Sequence, residues 1–128
     1  MAKKRILLVD DDKSFTRLLK LNLEETGQYE VRVENWAEDA LAAVREFRPD
    51  LVLLDIIMPR MPGGNISSAI ANDPELKETP IVFLTAAVRK HQVEEHEGII
   101  CDRPTLAKPA SVEKIIEAIE VHSRPATP

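Results

Sequence analysis

Residues 51–59 read Leu-Val-Leu-Leu-Asp-Ile-Ile-Met-Pro, and this stretch decides the fold. Four consecutive aliphatic residues, Leu51 to Leu54, predict a strand that is buried on both faces, as in a parallel sheet. A carboxylate, Asp55, follows where the strand is expected to end. An ionised carboxylate beside apolar packing is unfavourable without a cation or hydrogen-bond donors nearby. Asp55 therefore predicts a polar site at the end of this strand.

The composition is that of one soluble globular domain. The chain has 128 residues, of which 44% are hydrophobic and 30% charged. A chain of this length can bury a core without disulfide bonds or structural metals. The net charge of −5 argues against broad electrostatic binding to nucleic acid. No apolar run approaches the roughly 20 residues of a membrane span.

The first residues and the single cysteine indicate the cellular compartment of the protein. The basic start, Met1–Arg5, is followed only by Ile6–Val9 before three aspartates, which is too short an apolar run for a signal peptide. The lone Cys101 cannot close an internal disulfide, which fits a reducing compartment. We expect a cytoplasmic single domain with no direct nucleic-acid partner and no membrane contact.

Four further segments have the pattern of strands. Three are short runs of mainly apolar residues, and the fourth alternates apolar with charged residues, as a strand at the edge of a sheet does. The three runs are Ile6–Val9, Ile81–Leu84 and Thr105–Ala107, and the alternating segment is Tyr29–Glu34.

Apolar residues at helical spacing predict helices between these strands. The stripes are Phe15, Leu18, Leu19 and Leu23, closed by Gly27; Ala37, Ala40, Leu41, Val44 and Phe47; Ile66, Ala69 and Ile70; and Val112, Ile115, Ile116 and Ile119, with Ser111 as N-cap. Residues 86–98 are helical by composition, although their pattern is poor. Residues 58–64 are predicted to be a loop because they contain two prolines and two glycines.

Alternating strands and helices predict a parallel sheet covered on both faces, an α/β fold. Ligands of such sheets bind beyond the carboxyl ends of the strands, where the strand order reverses. The polar residues at these ends are Asp10, Asp11, Asp55, Thr85 and Lys108. Three acids, a hydroxyl and a base are thus expected at one rim.

These residue types suit phosphoryl chemistry. Clustered carboxylates repel one another unless they share protons or hold a cation, and oxygen ligands without histidine or cysteine favour Mg²⁺. Lys108 is a point charge suited to a phosphoryl group, and Thr85 offers a hydroxyl donor. A carboxylate among these groups is equipped to accept a phosphoryl group as a nucleophile.

The sequence resembles a response-regulator receiver domain of bacterial two-component signalling. The motifs are Val9-Asp10-Asp11-Asp12, Leu54-Asp55-Ile56-Ile57-Met58-Pro59 with Gly63 eight residues past Asp55, Leu84-Thr85-Ala86, and Lys108-Pro109. The resemblance covers residues 5–121. It implies a flavodoxin-like, doubly wound, five-stranded parallel sheet of order 2-1-3-4-5. We expect a receiver domain over residues 1–123 and a disordered tail over residues 124–128.

The resemblance also implies a role for each site residue. Asp55 would accept a phosphoryl group from a histidine kinase or a histidine phosphotransfer protein. Asp11, Asp55 and the backbone carbonyl of Ile57 would bind Mg²⁺ directly, while Asp10 would act largely through water. Lys108 would pair with the phosphoryl group, and Thr85 would hydrogen-bond to it.

The implied protein is a signalling domain and not an enzyme beyond its own phosphorylation and slow dephosphorylation. Its output would pass to a downstream protein or to an effector domain that this sequence lacks. Receivers usually carry an aromatic switch residue three positions before the lysine, where this chain has Thr105. Rotation of an aromatic ring is therefore not expected to carry the output.

Simpler and competing interpretations exist. Asp12 can be a helix N-cap, and Trp36 and Phe47 are most simply packing residues. A haloacid-dehalogenase-like phosphatase is one alternative, because Asp10-Asp11-Asp12 resembles its Asp-x-Asp signature and would make Asp10 the nucleophile. A pseudo-receiver, which binds partners without accepting phosphate, is the other.

Overall fold

The computed structural model describes residues 3–55, 63–85, 99–100, 103–107 and 110–123. Five strands are parallel: β1 (Lys4–Val9), β2 (Tyr29–Glu34), β3 (Leu51–Asp55), β4 (Ile81–Thr85) and β6 (Arg103–Ala107). They lie in the order β2-β1-β3-β4-β6, which confirms the predicted strand order. A two-residue strand, β5 (Ile99–Ile100), extends the sheet by antiparallel pairing with β6 and was not predicted.

Three helices of the described residues separate the first four strands, and a fourth helix follows β6. They are α1 (Lys13–Glu25), α2 (Ala40–Phe47), which follows a single 3-10 turn at Ala37–Asp39, α3 (Gly63–Asn72) and α4 (Val112–His122). The predicted helix over residues 86–98 lies outside the described residues. None of the described helices is long and apolar enough to cross a membrane.

Local chemistry sets the helix ends. The Asp12 carboxylate accepts a hydrogen bond from the backbone N–H of Phe15 at 3.0 Å, and Ser111 caps α4 in the same way. Gly27 follows α1 with φ of 76°, a conformation that glycine adopts without steric cost. The predicted cap residues Asp12 and Ser111 are confirmed.

The core lies on both faces of the sheet, because successive strand residues point to opposite sides. Leu7 and Val9 of β1 pack on the face covered by α2 and α3. Ile6 and Leu8 pack on the face covered by α1 and α4. The doubly wound arrangement follows from this division, as predicted.

Three local predictions are wrong. Gly63 and Gly64 begin α3 and do not belong to a loop, because glycine is tolerated in a first turn, whose N–H groups have no intrahelical partner in any case. Leu18 is 60% exposed, since the buried stripe of α1 is centred on Leu19 and Leu23. Trp36 is 53% exposed and is not a core residue; the Lys13 ammonium lies 5.9 Å from the centroid of its ring.

Candidate functional site

Three carboxylates meet where β1 and β3 end side by side. Asp10 directly follows β1, Asp55 is the last residue of β3, and Val9 pairs with Leu54 in the sheet. Asp10, Asp11 and Asp55 each bring a carboxylate oxygen to within 4.8 Å of the other two. This is the point at which the strand order reverses, where open α/β sheets bind ligands.

The burial of the three acids differs in a way that bears on their chemistry. Asp10 is 3% and Asp55 6% exposed, whereas Asp11 is exposed. Negative charges at this spacing repel one another, and the repulsion is stronger where water is excluded. A hard divalent cation bound by carboxylate oxygens offsets that repulsion, and Mg²⁺ prefers such ligands while retaining several waters. The donor set and its partial exposure therefore fit a Mg²⁺ ion.

The loop from β1 to α1 is held by its own backbone and side chains. The Asp10 N–H donates to the carbonyl oxygen of Glu34 at 3.2 Å, which prolongs the ladder between β1 and β2. The Asp12 N–H donates to Oδ1 of Asp10 at 3.0 Å. The Asp12 carboxylate itself caps α1. Three consecutive aspartates thus have separate tasks, and Asp12 is a structural residue.

Two polar residues that the sequence analysis did not single out support this loop. Asn35, just after β2, donates from Nδ2 to the carbonyl oxygen of Asp10 at 2.7 Å and to Oγ1 of Thr16 at 3.0 Å. Thr16 lies in the first turn of α1 and is 1% exposed. No pattern in the sequence identifies this network, because the burial of Thr16 arises only when α1 packs on the sheet.

The remaining predicted site residues are only partly described. Thr85 is the last residue of β4, and Leu84 before it pairs with Asp55, so that the backbone of Thr85 lies at the same rim. Lys108 and Ile57 lie outside the described residues. The structure therefore brings together the three predicted acids and places the Thr85 backbone beside them.

A second polar cluster lies at the opposite end of the sheet. The Tyr29 hydroxyl donates to Oε2 of Glu120 at 2.7 Å, and Nζ of Lys4 lies 3.3 Å from the same oxygen. The pKa of Tyr29 is raised well above its usual range by burial and by the Glu120 carboxylate. The pKa of Glu120 is lowered, chiefly by the hydrogen bond from Tyr29 and also by Lys4. These contacts fasten the end of α4 to β1 and β2.

Comparison with known proteins places this chain in one class of protein. The model of the response regulator receiver domain family matches residues 6–120. The chain belongs to this family, which is a signalling family of two-component response regulators and not a family of classical enzymes. The phosphatase alternative is therefore not supported.

Individual relatives agree with the assignment. The chain is similar to the polar-differentiation response regulator DivK of Brucella anthropi, with 32% identity over 117 residues that cover 91% of this chain and 94% of that protein. The structure resembles that of the chemotaxis protein CheY4 of Vibrio cholerae, with a TM-score of 0.79, 28% identity, and coverage of 94% and 98% of the two chains. It also resembles the N-terminal domain of a response regulator receiver protein from Methanoculleus marisnigri, with a TM-score of 0.68, 32% identity, and coverage of 91% and 94%.

Proposed function

We propose that this chain accepts a phosphoryl group on Asp55, in a Mg²⁺-dependent reaction, from a histidine kinase or a histidine phosphotransfer protein. The observation that carries the proposal is the meeting of Asp10, Asp11 and Asp55 within 4.8 Å at the rim of the sheet. Membership of the receiver family supports it. The proposal covers residues 1–123 as the receiver domain and leaves residues 124–128 as a tail.

The acid cluster is the proposed metal site. Asp11, Asp55 and the backbone carbonyl of Ile57 would hold Mg²⁺ directly, and Asp10 would hold it largely through water. The bound ion would neutralise negative charge on the carboxylates and on the incoming phosphoryl oxygens. Asp11 is the exposed member of the cluster. This suits a metal ligand, because the bound ion must remain accessible to water and to phosphate oxygens.

Asp55 is the proposed nucleophile. One carboxylate oxygen of Asp55 attacks the phosphorus, the new P–O bond forms, and the P–N bond to the donor histidine breaks as its imidazole takes up a proton. Asp55 is 6% exposed, so that little water reaches the acyl phosphate once it has formed. Lys108 is proposed to pair with the phosphoryl group and Thr85 to hydrogen-bond to it.

The proposed output is a change in protein contacts in the cytoplasm. Its recipient would be a downstream protein or an effector domain, and no direct contact with nucleic acid or a membrane is proposed. Thr105 is buried in β6, beside Phe83 of β4. A buried threonine has no ring to rotate, so the output is proposed to depend on other groups.

Phosphorylation with a small donor tests the proposal. The purified chain, incubated with acetyl phosphate and MgCl₂, should gain one phosphate by intact mass, and peptide mapping should place it on Asp55. EDTA should prevent the gain. Asp55→Asn should abolish the acid-labile phosphate, because the amide is a poor nucleophile.

Asp50 provides the matched control. It precedes β3 at the other end of the sheet, is as buried as Asp55, and accepts a hydrogen bond from the Arg5 N–H at 2.8 Å. Asp50→Asn keeps an acceptor oxygen and should be phosphorylated like the wild type. Full labelling of Asp55→Asn would refute the assignment of the acceptor. A wild-type chain that takes up no phosphate, while remaining folded, would instead favour the pseudo-receiver.

A further inference from the structure

One side-chain amide joins three elements around the acid site. Asn35 follows β2, and its Nδ2 group donates to the carbonyl oxygen of Asp10 at 2.7 Å and to Oγ1 of Thr16 at 3.0 Å. Asp10 lies in the loop after β1, and Thr16 lies in α1. Both hydrogens of the amide are therefore in use.

The first of these bonds continues the sheet beyond its last backbone pair. The parallel register of β1 and β2 ends with Val9 opposite Glu34, and the Asp10 N–H donates to the Glu34 carbonyl. The next group along the chain, the Asp10 carbonyl, accepts a hydrogen bond from the Asn35 side-chain amide, where a backbone N–H would donate if the sheet continued. The backbone of Asp10 is thus held on both sides of its α-carbon.

The second bond reaches the start of α1. The Thr16 hydroxyl accepts from Asn35 and lies 3.2 Å from the carbonyl oxygens of both Asp12 and Lys13, to which it donates. Thr16 is 1% exposed, so these bonds are shielded from competing water. The chain of hydrogen bonds therefore begins and ends on the loop that carries Asp10 and Asp11.

We propose that Asn35 is a positioning residue that sets the divalent-cation affinity of the acid site. This inference rests on the proposed function, since it takes Asp11 and Asp55 as direct metal ligands and Asp10 as acting largely through water. Their carboxylates lie within 4.8 Å of one another and repel when no cation is present. A loop free to relax would separate them, and binding would then have to draw the loop back. Asn35 opposes that separation by fixing the backbone of residues 10–13.

The magnitude follows from the behaviour of groups that orient metal ligands. Removal of such a group commonly weakens metal binding by about tenfold or more. We expect Asn35→Ala to raise the Kd for Mg²⁺ about tenfold. Thr16→Val, which has nearly the shape of threonine but no hydroxyl, should have a smaller effect in the same direction. Thr16→Ser keeps the hydroxyl and should restore the affinity of the wild type.

The test is a titration of each isotope-labelled variant with MgCl₂, followed through the backbone amide shifts of residues 10–13. Tyr29→Phe is the matched control for stability, because it removes one partly buried side-chain hydrogen bond, that to Glu120, at the opposite end of the sheet. It should lower stability comparably and leave the Kd for Mg²⁺ unchanged. Phosphorylation by acetyl phosphate adds a second readout: the rate for Asn35→Ala should fall at limiting Mg²⁺ and return to the wild-type rate at saturating Mg²⁺.

The outcomes separate this inference from the proposed function. An unchanged Kd in a folded Asn35→Ala variant would overturn the positioning role while leaving the phosphoacceptor intact. Equal weakening by Asn35→Ala and Tyr29→Phe would also overturn it, because the effect would then be one of general stability. A wild-type chain that binds no Mg²⁺ would overturn the metal site and, with it, this inference.

Discussion

Adjacent aspartates in the β1–α1 loop should respond to substitution in opposite ways. Asp12 caps α1 through a 3.0 Å bond to the N–H of Phe15, whereas Asp11 belongs to the acid cluster and is exposed. We expect Asp12→Ala to lower stability without loss of Mg²⁺ binding. We expect Asp11→Ala to abolish most Mg²⁺ binding without loss of stability.

The magnitudes follow from the two roles. Loss of an N-cap costs about 1 kcal/mol, which for a domain of this size lowers Tm by about 4 °C. A ligand present at about 100 times its Kd stabilises the folded state by about 2.7 kcal/mol. The wild type and Asp12→Ala should both gain that increment from Mg²⁺. Asp11→Ala should gain almost none of it, and without metal it should be at least as stable as the wild type, because one of three mutually repelling charges has been removed.

Urea unfolding followed by circular dichroism, with and without MgCl₂, measures both quantities for each variant. Asp39→Ala is the matched control: Asp39 stands directly before α2, and within the described part of the chain its side chain caps no helix. It should behave as the wild type in both conditions. If Asp12→Ala lost as much of the Mg²⁺ increment as Asp11→Ala, the assignment of Asp12 to the helix would be wrong.

Two further predictions concern other parts of the chain. The pKa of Glu120 is lowered by Tyr29 and Lys4, so its charge stabilises the fold above the ordinary glutamate pKa, and that stabilisation is lost as pH falls through the depressed folded value. The wild type should be more stable than Glu120→Gln by about 0.5 kcal/mol at pH 7, since half-exposed ion pairs contribute little. Thermal melts should show this difference shrinking as pH falls below about 4.3, the ordinary glutamate pKa, and vanishing below the depressed folded pKa; a difference that grew towards acid pH would contradict the assignment. By resemblance to receivers, the side chains two residues after the acceptor and two after the threonine are expected to flank the path of hydrolytic water, and here they are Ile57 and Ala87. Neither can orient a water by hydrogen bonding, so Ile57→Asn with Ala87→Glu should accelerate loss of phosphate about tenfold. Decay of the labelled protein without a partner measures this, and an unchanged or slower rate would count against it.

The parts of the fold that the sequence predicts well are those determined by the residues of a single segment. The run Leu51–Leu54 is apolar on both faces of a strand, so a buried parallel strand is its simplest structure. The carboxylate that follows this run indicates where the strand reaches the rim of the sheet. The order of the strands came from the family resemblance and is confirmed. The short β5 is not predictable, because the two isoleucines at 99 and 100 are too few to show a periodic pattern.

Exposure on helices was harder to predict than the helices themselves. Leu18 and Leu19 are adjacent and equally apolar, and 100° of rotation separates them on α1. Only the position of the helix axis over the sheet decides that Leu19 is buried and Leu18 is not. Trp36 is misassigned for a related reason: its neighbour Ala37 is buried in the core, and no pattern in the sequence shows which of the two faces inward.

The contacts between β2 and α1 show why the residues that support a site are not predictable from sequence patterns. In the register of the sheet, the N–H and C=O of Val31 point away from β1, at the open edge. Glu24 accepts from that N–H at 3.1 Å, and Nζ of Lys20 donates to that C=O at 2.8 Å. From sequence alone Lys20 and Glu24 are an ordinary surface pair four residues apart, worth about 0.3 kcal/mol. Their contacts with the strand edge depend on which residues of β2 face outward, and those of Asn35 with Asp10 depend on how β2 pairs with β1. That register is a property of two segments together, and no pattern within either segment contains it.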